Sequence, residues 1–564
     1  MEKIIIYQVF TRLFGNSKPT SVYNGSLQEN GCGKMAGFTN QALQEIKKLG
    51  TTHIWYTGVI AHATQTDYTA YGIPRNHPSI VKGKAGSPYA IRDYYDVDPD
   101  LAVNVNQRMK EFETLIERTH ANRLKVIIDF VPNHVSRQYQ SLAKPRRVKD
   151  LGETDNPNIA FSPDNNFYYI PGQKLEGEID LHNESMGDYY ESPAKATGNN
   201  RFDAYPNRND WYETVKLNYG TDYIHNTGNH FSPIPDTWHK MKDILLFWAG
   251  KGIDGFRCDM AEMVPCEFWG WAIPEVKAKY PNLIFIAEVY NPNEYRNYLF
   301  NGKFDYLYDK VGLYDTLRGV ICGYNSATAI TSCWQSVNDI QDHMLNFLEN
   351  HDEQRIASDF FAGNPFKALP ALIVSACMNT NPMMIYFGQE LGEPGMDEEG
   401  FSGRDGRTTI FDYWSVNSLY RWSNNGRYNT HLLSPKEKEL RKFYSRLLNL
   451  CNQEAALREG AFFDLMYVNQ GGWQMNEHRQ YAFLRKQENE VLLIAVNFDE
   501  TPAQVSINLP AHAFEYLNMP EYESITATNL LDSQKETISF TANKPVAITL
   551  PAYGGKILKI KIGK

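Results

Sequence analysis

The sequence has no apolar run that approaches the ~18–20 residues of a membrane helix. Its longest aliphatic stretches, such as Ile4–Ile6 and Leu372–Ala376, are only a few residues each, and the mean hydropathy is -0.48. A soluble protein is expected. Cysteine is scarce and scattered: Cys32, Cys258, Cys266, Cys322, Cys333, Cys377 and Cys451 are an odd number with no CxxC pair, which argues against both a disulfide framework and a zinc site. There is no excess of basic charge, since 56 Lys and Arg face 66 Asp and Glu for a formal net charge of -10. With a pI near 5.8 the chain has no global attraction for phosphate backbones, and neither nucleic acid nor a membrane is an expected partner. The opening residues, Met1-Glu-Lys-Ile-Ile-Ile-Tyr-Gln-Val-Phe10, lack the basic n-region and long h-region of a signal peptide. They read as a first β-strand, and the expected location is the cytoplasm. What remains is a 564-residue chain, 42% apolar and 13% aromatic, which can bury several large cores and is neither disordered nor fibrous.

Short β-branched and aromatic runs recur from Ile4 to Phe387, most of them separated by segments of helical periodicity, the pattern of a parallel α/β fold. Eight strands are predicted: Ile4–Phe10, His53–Val59, Lys125–Phe130, Gly255–Asp259, Leu283–Val289, Phe304–Tyr308, Met344–Leu348 and Met383–Phe387. Apolar residues fall at spacings of three and four in Asn40–Leu49, Val105–His120 and Thr237–Ala249, which predicts helices there. Eight such units predict a (β/α)8 TIM barrel, over residues 1–134 and 235–455. The interval 135–234 is rich in Asn, Asp, Gly, Pro and Tyr without a long helical pattern, so an inserted domain is expected after the third strand. Beyond a helical run from Ser434 to Asn452, the short strands Val491–Asn497, Gln504–Leu509 and Ala547–Leu550 predict a C-terminal β-sandwich over 456–564.

In a barrel, chemistry sits at the C-terminal ends of the strands, and here those ends deliver carboxylates. Asp259, Glu288 and Asp352 each end a predicted strand on one rim, with Arg257, His134 and His351 beside them. A single acid there is more often a helix cap or turn residue; three on one rim are harder to dismiss. Facing carboxylates repel, so one is expected to keep its proton while another stays ionised. That division suits glycoside hydrolysis with retention, in which one carboxylate attacks carbon and the other protonates the leaving oxygen. Arg257, two residues before Asp259, lies on the same face of its strand and can hold that carboxylate charged. His134, Asp259 and Glu288 also suggest metal ligation, but no HxxxH or HExxH spacing supports it. Tyr89, Tyr94 and Tyr95 are candidate stacking surfaces for sugar rings, although most aromatics in a chain of this size are core.

These residues fall in four ordered motifs, Asp129-Phe-Val-Pro-Asn-His134, Gly255-Phe-Arg-Cys-Asp259, Ala287-Glu288-Val289 and Asn350-His-Asp352, through which the chain resembles the α-amylase family, glycoside hydrolase family 13. The layout of barrel, inserted domain and C-terminal β-domain resembles that family over nearly the whole length. The resemblance implies that Asp259 is the nucleophile, Glu288 the general acid and then base, and Asp352 the group that binds sugar hydroxyls and stabilises the oxocarbenium-like transition state. It implies further that Arg257 orients Asp259, that His134 and His351 bind the sugar in subsite -1, and that Tyr89 stacks on that sugar. Arg355 resembles an arginine near the same subsite in the oligosaccharide-processing members.

The chain also departs from the family pattern. Many α-amylases carry a histidine four residues after the nucleophile, whose carbonyl helps hold a structural calcium, and often a lysine just before it; here those positions are Met263 and Glu262. Asn133 matches a calcium-ligand position, and a carbonyl can come from any residue, so Met263 weakens the case for calcium without closing it. No essential metal or other cofactor is expected. Near the end of the inserted domain, where the family motif carries an acid, Val215-Lys-Leu-Asn-Tyr219 has Lys216. The leading expectation is a retaining, α-amylase-like enzyme that cuts α-1,4 bonds of starch, glycogen or maltodextrins, with an α-glucan or maltooligosaccharide as its partner. An α-glucosidase or an α-glucan transglycosylase shares the glycosyl-enzyme intermediate, so the acids do not separate these. A non-catalytic glucan-binding barrel is disfavoured because all three acids are present.

Overall fold

The computed structural model describes residues 2–563. All eight predicted barrel strands form: β1 (Ile5–Phe10), β2 (His53–Thr57), β3 (Lys125–Phe130), β4 (Gly255–Cys258), β5 (Ile284–Ala287), β6 (Tyr306–Tyr308), β7 (Met344–Phe347) and β8 (Met383–Tyr386). Each pairs in parallel with the next, and β8 closes on β1 with Ile5 opposite Met383, so the barrel has no free edge. Most strands are a residue or two shorter than predicted, β1 and β6 at their N-terminal ends and β2, β4, β7 and β8 at their C-terminal ends.

Helices return the chain between parallel strands. The first, Asn40–Lys48, starts at Thr39, whose side chain accepts from Ala42 N at 3.2 Å, and buries Ala42, Leu43 and Ile46 against the barrel. The last long one, Pro435–Gln453, begins in a capping box: Ser434 accepts from Glu437 N, and Glu437 accepts from Ser434 N at 2.6 Å.

Two excursions leave the barrel at its C-terminal rim. After β2, an antiparallel pair of Ile60–His62 with Ile91–Val97 forms that the hydrophobic pattern does not show. All of Ile91–Val97 is buried despite its polar residues, because Asp93 accepts from Ser141 and Asp96 from both ends of the Arg108 fork at 2.8 and 2.6 Å. Tyr94 and Tyr95 belong to this packing rather than to a sugar surface: Tyr94 OH donates to His134 O at 3.2 Å, and Tyr95 packs edge-on against Phe247. After β3, the chain forms short ladders, among them His134–Ser136 with Thr214–Lys216 and Tyr169–Ile170 with Ala194–Lys195.

The C-terminal domain is mostly β, with a short helix, Ala511–Tyr516. A six-stranded antiparallel sheet runs in the order Ala461–Asp464, Gln480–Gln487, Glu490–Asn497, Gly554–Lys561, Tyr522–Asn529 and Lys535–Phe540, beside the pair Ala503–Ile507 and Val546–Leu550. All seven cysteines are free thiols, and among the described residues no helix is long and apolar enough to cross a membrane.

The fully buried Arg485 ties this domain to the barrel. Its guanidinium donates to Cys377 O at 2.8 Å, at the end of the barrel helix Leu369–Cys377, and to Gly460 O at 2.7 Å. Replacing it with alanine strands these carbonyls, and each buried acceptor left without a donor costs ~1–3 kcal/mol. Arg485→Ala is therefore expected to lower the melting temperature measurably; an unchanged melt would show that the clamp contributes nothing.

Candidate active site

Alternation along β4 sends Phe256 outward, against Phe130 and Phe285, and Arg257 inward on the same side as Asp259. The guanidinium is fully buried and meets carboxylates on two sides. Nη1 donates to Asp259 Oδ1 at 2.7 Å and lies 3.5 Å from Asp129 Oδ1, while Nη2 is in ion-pair contact with Glu288 Oε2 at 2.8 Å. Nε donates to Tyr308 OH at 3.1 Å, and the rings of Trp55 and Tyr89 stand 5.2 and 5.5 Å away. Desolvation works against this charge, and Glu288 leads the groups that outweigh it.

Glu288, the residue after β5, is fixed at both oxygens. Tyr290 OH donates to Oε1 at 2.5 Å, and Met260 N donates to Oε2 at 2.7 Å. Met260 can do so because it stands in the left-handed region at φ +42°, a conformation that costs an L-residue ~1–2 kcal/mol and here turns the amide next to Asp259 onto the second carboxylate. Asp352 follows β7 on the cavity wall with its side chain 41% exposed. Desolvation first, and the charge of Glu288 second, push it up to about 7. Desolvation also pushes Asp129 up to about 6 against the pull of Arg257, and it drives Asp259 upward with Glu288 adding to the push. Burial and crowding thus bias Asp129, Asp259 and Asp352 toward their protonated forms, and Arg257 opposes that bias.

Above the cluster opens a cavity of about 170 Å³ with Tyr89, His134, Trp211, Asp259, Glu288 and Asp352 in its walls. His351 lies behind Tyr89, with the rings stacked at 5.1 Å. Gln8 Nε2 donates to His351 Nδ1 at 2.9 Å, which puts the proton on Nε2, 2.7 Å from Tyr89 OH and 3.1 Å from Asp352 Oδ2. Desolvation, helped by Arg257, holds this imidazole well below the ordinary histidine range and therefore neutral. Arg355 is not brought to the cavity. Fully buried, it donates to Glu349 Oε2 and Phe387 O, each at 2.9 Å, and to Thr408 Oγ1 at 2.8 Å, because the turn after Asp352 carries it under the end of β8. Sequence reasoning missed Gln8, Met260, Trp211 and Tyr290. Only Tyr290 had a signal, its two-residue offset from Glu288.

A model of the α-amylase catalytic domain matches residues 8–460, and a model of the α-amylase C-terminal all-beta domain matches residues 473–561. The chain belongs to the α-amylase family of glycoside hydrolases. Alpha-amylase 2 of Dictyoglomus thermophilum is 21% identical over 517 residues, which cover 90% of this chain and 71% of that relative. A cyclomaltodextrin glucanotransferase from Bacillus sp. strain 38-2 is 25% identical over 276 residues, 47% of this chain and 31% of the relative. Among solved structures, the maltogenic alpha-amylase AmyB of Thermotoga neapolitana superposes with a TM-score of 0.63 at 18% identity, covering 99% of each chain; at that identity the likeness shows the fold alone.

The α-amylase calcium position is engaged by a side chain of this protein. The ladder that sets Lys216 opposite His134 delivers its Nζ between Asn133 Oδ1 and Met263 O, the latter at 3.1 Å. These are the two oxygens at the matched calcium-ligand positions, and the Lys216 amine, which burial lowers to about 7, already bonds both, so the residues as arranged leave no place for a calcium ion. Among the described residues, no cluster of three or more His, Cys, Asp or Glu is disposed to hold any metal. The lysine also orients the site. With Lys216 on Asn133 Oδ1, the Asn133 amide donates to Gly198 O at 2.8 Å and faces His134 Nδ1 at 3.1 Å, which assigns the proton of His134 to Nε2. Desolvation, then the charge of Lys216, holds His134 down at about 3, so it meets a ligand as a neutral ring.

Two outcomes are expected. A chelator leaves the wild-type melting temperature unchanged, whereas Lys216→Met lowers it, since two buried oxygens lose their donor at ~1–3 kcal/mol each; a chelator-sensitive wild type would refute the lysine's role. Asp352→Asn tests the crowding. The fold raises this carboxyl from 3.8 to about 7, so the native state binds its proton more tightly than the unfolded chain and stability falls as pH rises between those values. Asparagine removes that loss, so the variant should melt above wild type near pH 8 and level with it near pH 4. Melting curves at both pH values decide; an equal difference at the two would contradict the shift.

Proposed function

We propose that the chain is a retaining glycoside hydrolase that cleaves α-1,4-glucosidic bonds of starch, glycogen or maltodextrins through a covalent glycosyl-enzyme ester on Asp259. The observation that carries this reading is the single guanidinium shared by Asp259 and Glu288. A common cation favours the short ~5–5.5 Å separation of a nucleophile and an acid over the ~6.5–9.5 Å that leaves room for a water between them.

In the first step Asp259 attacks the anomeric carbon while Glu288 protonates the departing glycosidic oxygen, so the C–O bond to the aglycone breaks as the ester forms. The 2.7 Å bond from Arg257 favours the anion on Asp259, and Glu288 enters the step protonated and gives its own proton to the leaving oxygen. In the second step Glu288, now ionised, takes a proton from water as that water attacks the same carbon and returns Asp259 as a carboxylate. Tyr290 OH and Met260 N hold Glu288 in one place through both steps. Asp352 and the Nε2–H of His134 are placed to bind sugar hydroxyls, and Tyr89 offers its ring. His351 acts through Tyr89 and Asp352, and Arg257 through the acids.

Hydrolysis of maltoheptaose followed by NMR is expected to show the α-anomer first, with Asp259→Asn slower by at least ~10³-fold, the scale of loss on removing a covalent nucleophile. An initial β-anomer would overturn retention, and an unimpaired variant would overturn the nucleophile.

A further inference from the structure

The cavity over the acids is walled off from a larger neighbour, and successive residues of the same segments face the two sides. Lys82 lines the inner cavity, while Val81, Gly83 and Lys84 line an outer one of about 490 Å³. Glu213 lines the inner cavity and Tyr212 the outer. Phe411 lines the inner and Phe401 the outer, their rings edge-on at 5.1 Å. Three chain segments, one from the excursion after β2, one from the stretch after β3 and one from the loop after β8, therefore form a partition.

The partition is tightly joined. Lys82 Nζ lies 3.1 Å from Glu213 Oε2, donates to Asp210 O at 3.2 Å and faces the Tyr212 ring at 5.2 Å, and both ion-pair residues are buried. Gly83, at φ +68°, lies so close to the loop after β8 that a Cβ there would stand 2.2 Å from Phe411 O. The amides of Ala85 and Gly86 donate to that same carbonyl at 3.1 and 3.2 Å. Arg12 bridges the two segments from beneath, donating to Ile410 O at 3.1 Å and Gly86 O at 2.9 Å. The cavity volume of about 170 Å³ is well under the ~300–1,000 Å³ of pockets that take drug-sized ligands, and it suits one sugar ring rather than two.

We propose that this partition, latched by the Lys82–Glu213 ion pair, ends the substrate pocket one sugar beyond the scissile bond, so that the enzyme removes single α-linked hexosyl residues from chain ends instead of cutting within a chain. The proposal rests on the α-glucosidic reading above and narrows it. A second sugar on the Lys82 side would have to displace Lys82 or Phe411, and moving Lys82 leaves the Glu213 carboxylate buried without its cation, a costly arrangement. The outer cavity then lies beyond the reach of a chain that is being cut.

The test is the first product from 4-nitrophenyl α-maltoside, with 4-nitrophenyl α-glucoside as reference. The wild type is expected to release glucose first and leave 4-nitrophenyl α-glucoside, which it then hydrolyses. Direct release of maltose with nitrophenol by the wild type would overturn the one-sugar pocket while leaving the α-glucosidic reading intact. No turnover of either compound would overturn both. Lys82→Ala/Glu213→Ala removes both charges together, so that neither is left buried alone, and it should raise direct maltose release relative to glucose by ~10-fold or more, the scale at which pocket contacts discriminate substrates. A folded double variant with the wild-type product ratio would overturn the latch. The wild-type pattern decides the pocket even if the double variant does not fold.

Discussion

One buried cation organises this molecule's candidate active site. Arg257 sits in the barrel interior with no exposed surface, and a guanidinium there is tolerable only because Asp259, Glu288 and Asp129 neutralise it and the rings of Trp55, Tyr89 and Tyr308 enclose it. The dependence runs both ways. Without that cation, the carboxylates would not share so small a space as anions; without the carboxylates, the arginine would not stay buried. The barrel supplies the geometry, since adjacent parallel strands end on the same rim and bring groups from β3, β4 and β5 to a common point.

Around that centre, other buried basic side chains act as spacers. Lys216 joins Asn133 to the carbonyl of Met263, and through Asn133 it sets which nitrogen of His134 carries the proton. Lys82 joins the excursion after β2 to the stretch after β3 at Glu213. Arg485 joins the C-terminal sheet to a barrel helix. Each spans segments far apart in sequence, and each uses several hydrogen-bond donors on a flexible stem to meet acceptors that apolar packing cannot satisfy. The same construction that stabilises the fold thus shapes the pocket: its acids, its histidine and one of its walls are each positioned by a basic side chain. The strained Met260 adds a cost at the centre, which Glu288 uses as a fixed hydrogen-bond donor.

Much of this was legible in the sequence, for local reasons. Strand and helix periodicity depends on which residues in a short window are apolar, so all eight barrel strands could be found to within a residue or two. The acids and Arg257 were found because strand ends in a barrel share one rim. Where polar residues are buried and satisfied by distant partners, the pattern vanished: Ile91–Val97 looks too polar for a buried strand until Ser141 and Arg108 are in place. Tyr94 and Tyr95, open as sugar platforms in the sequence, are core residues of that pairing, and Arg355 faces Glu349 rather than the cavity.

The sequence by itself determined the barrel, the residues that could react and the family they resemble, because those follow from periodicity and from short motifs. Only the tertiary structure decided that Lys216 bonds the oxygens at the matched calcium-ligand positions, that His351 stands behind Tyr89, and that Lys82 and Phe411 stand in the wall of a cavity of about 170 Å³. These are contacts between segments that nothing local brings together. Their side chains carry the same letters whether or not they meet, and only the closed barrel and the excursions on its rim fix which of them do.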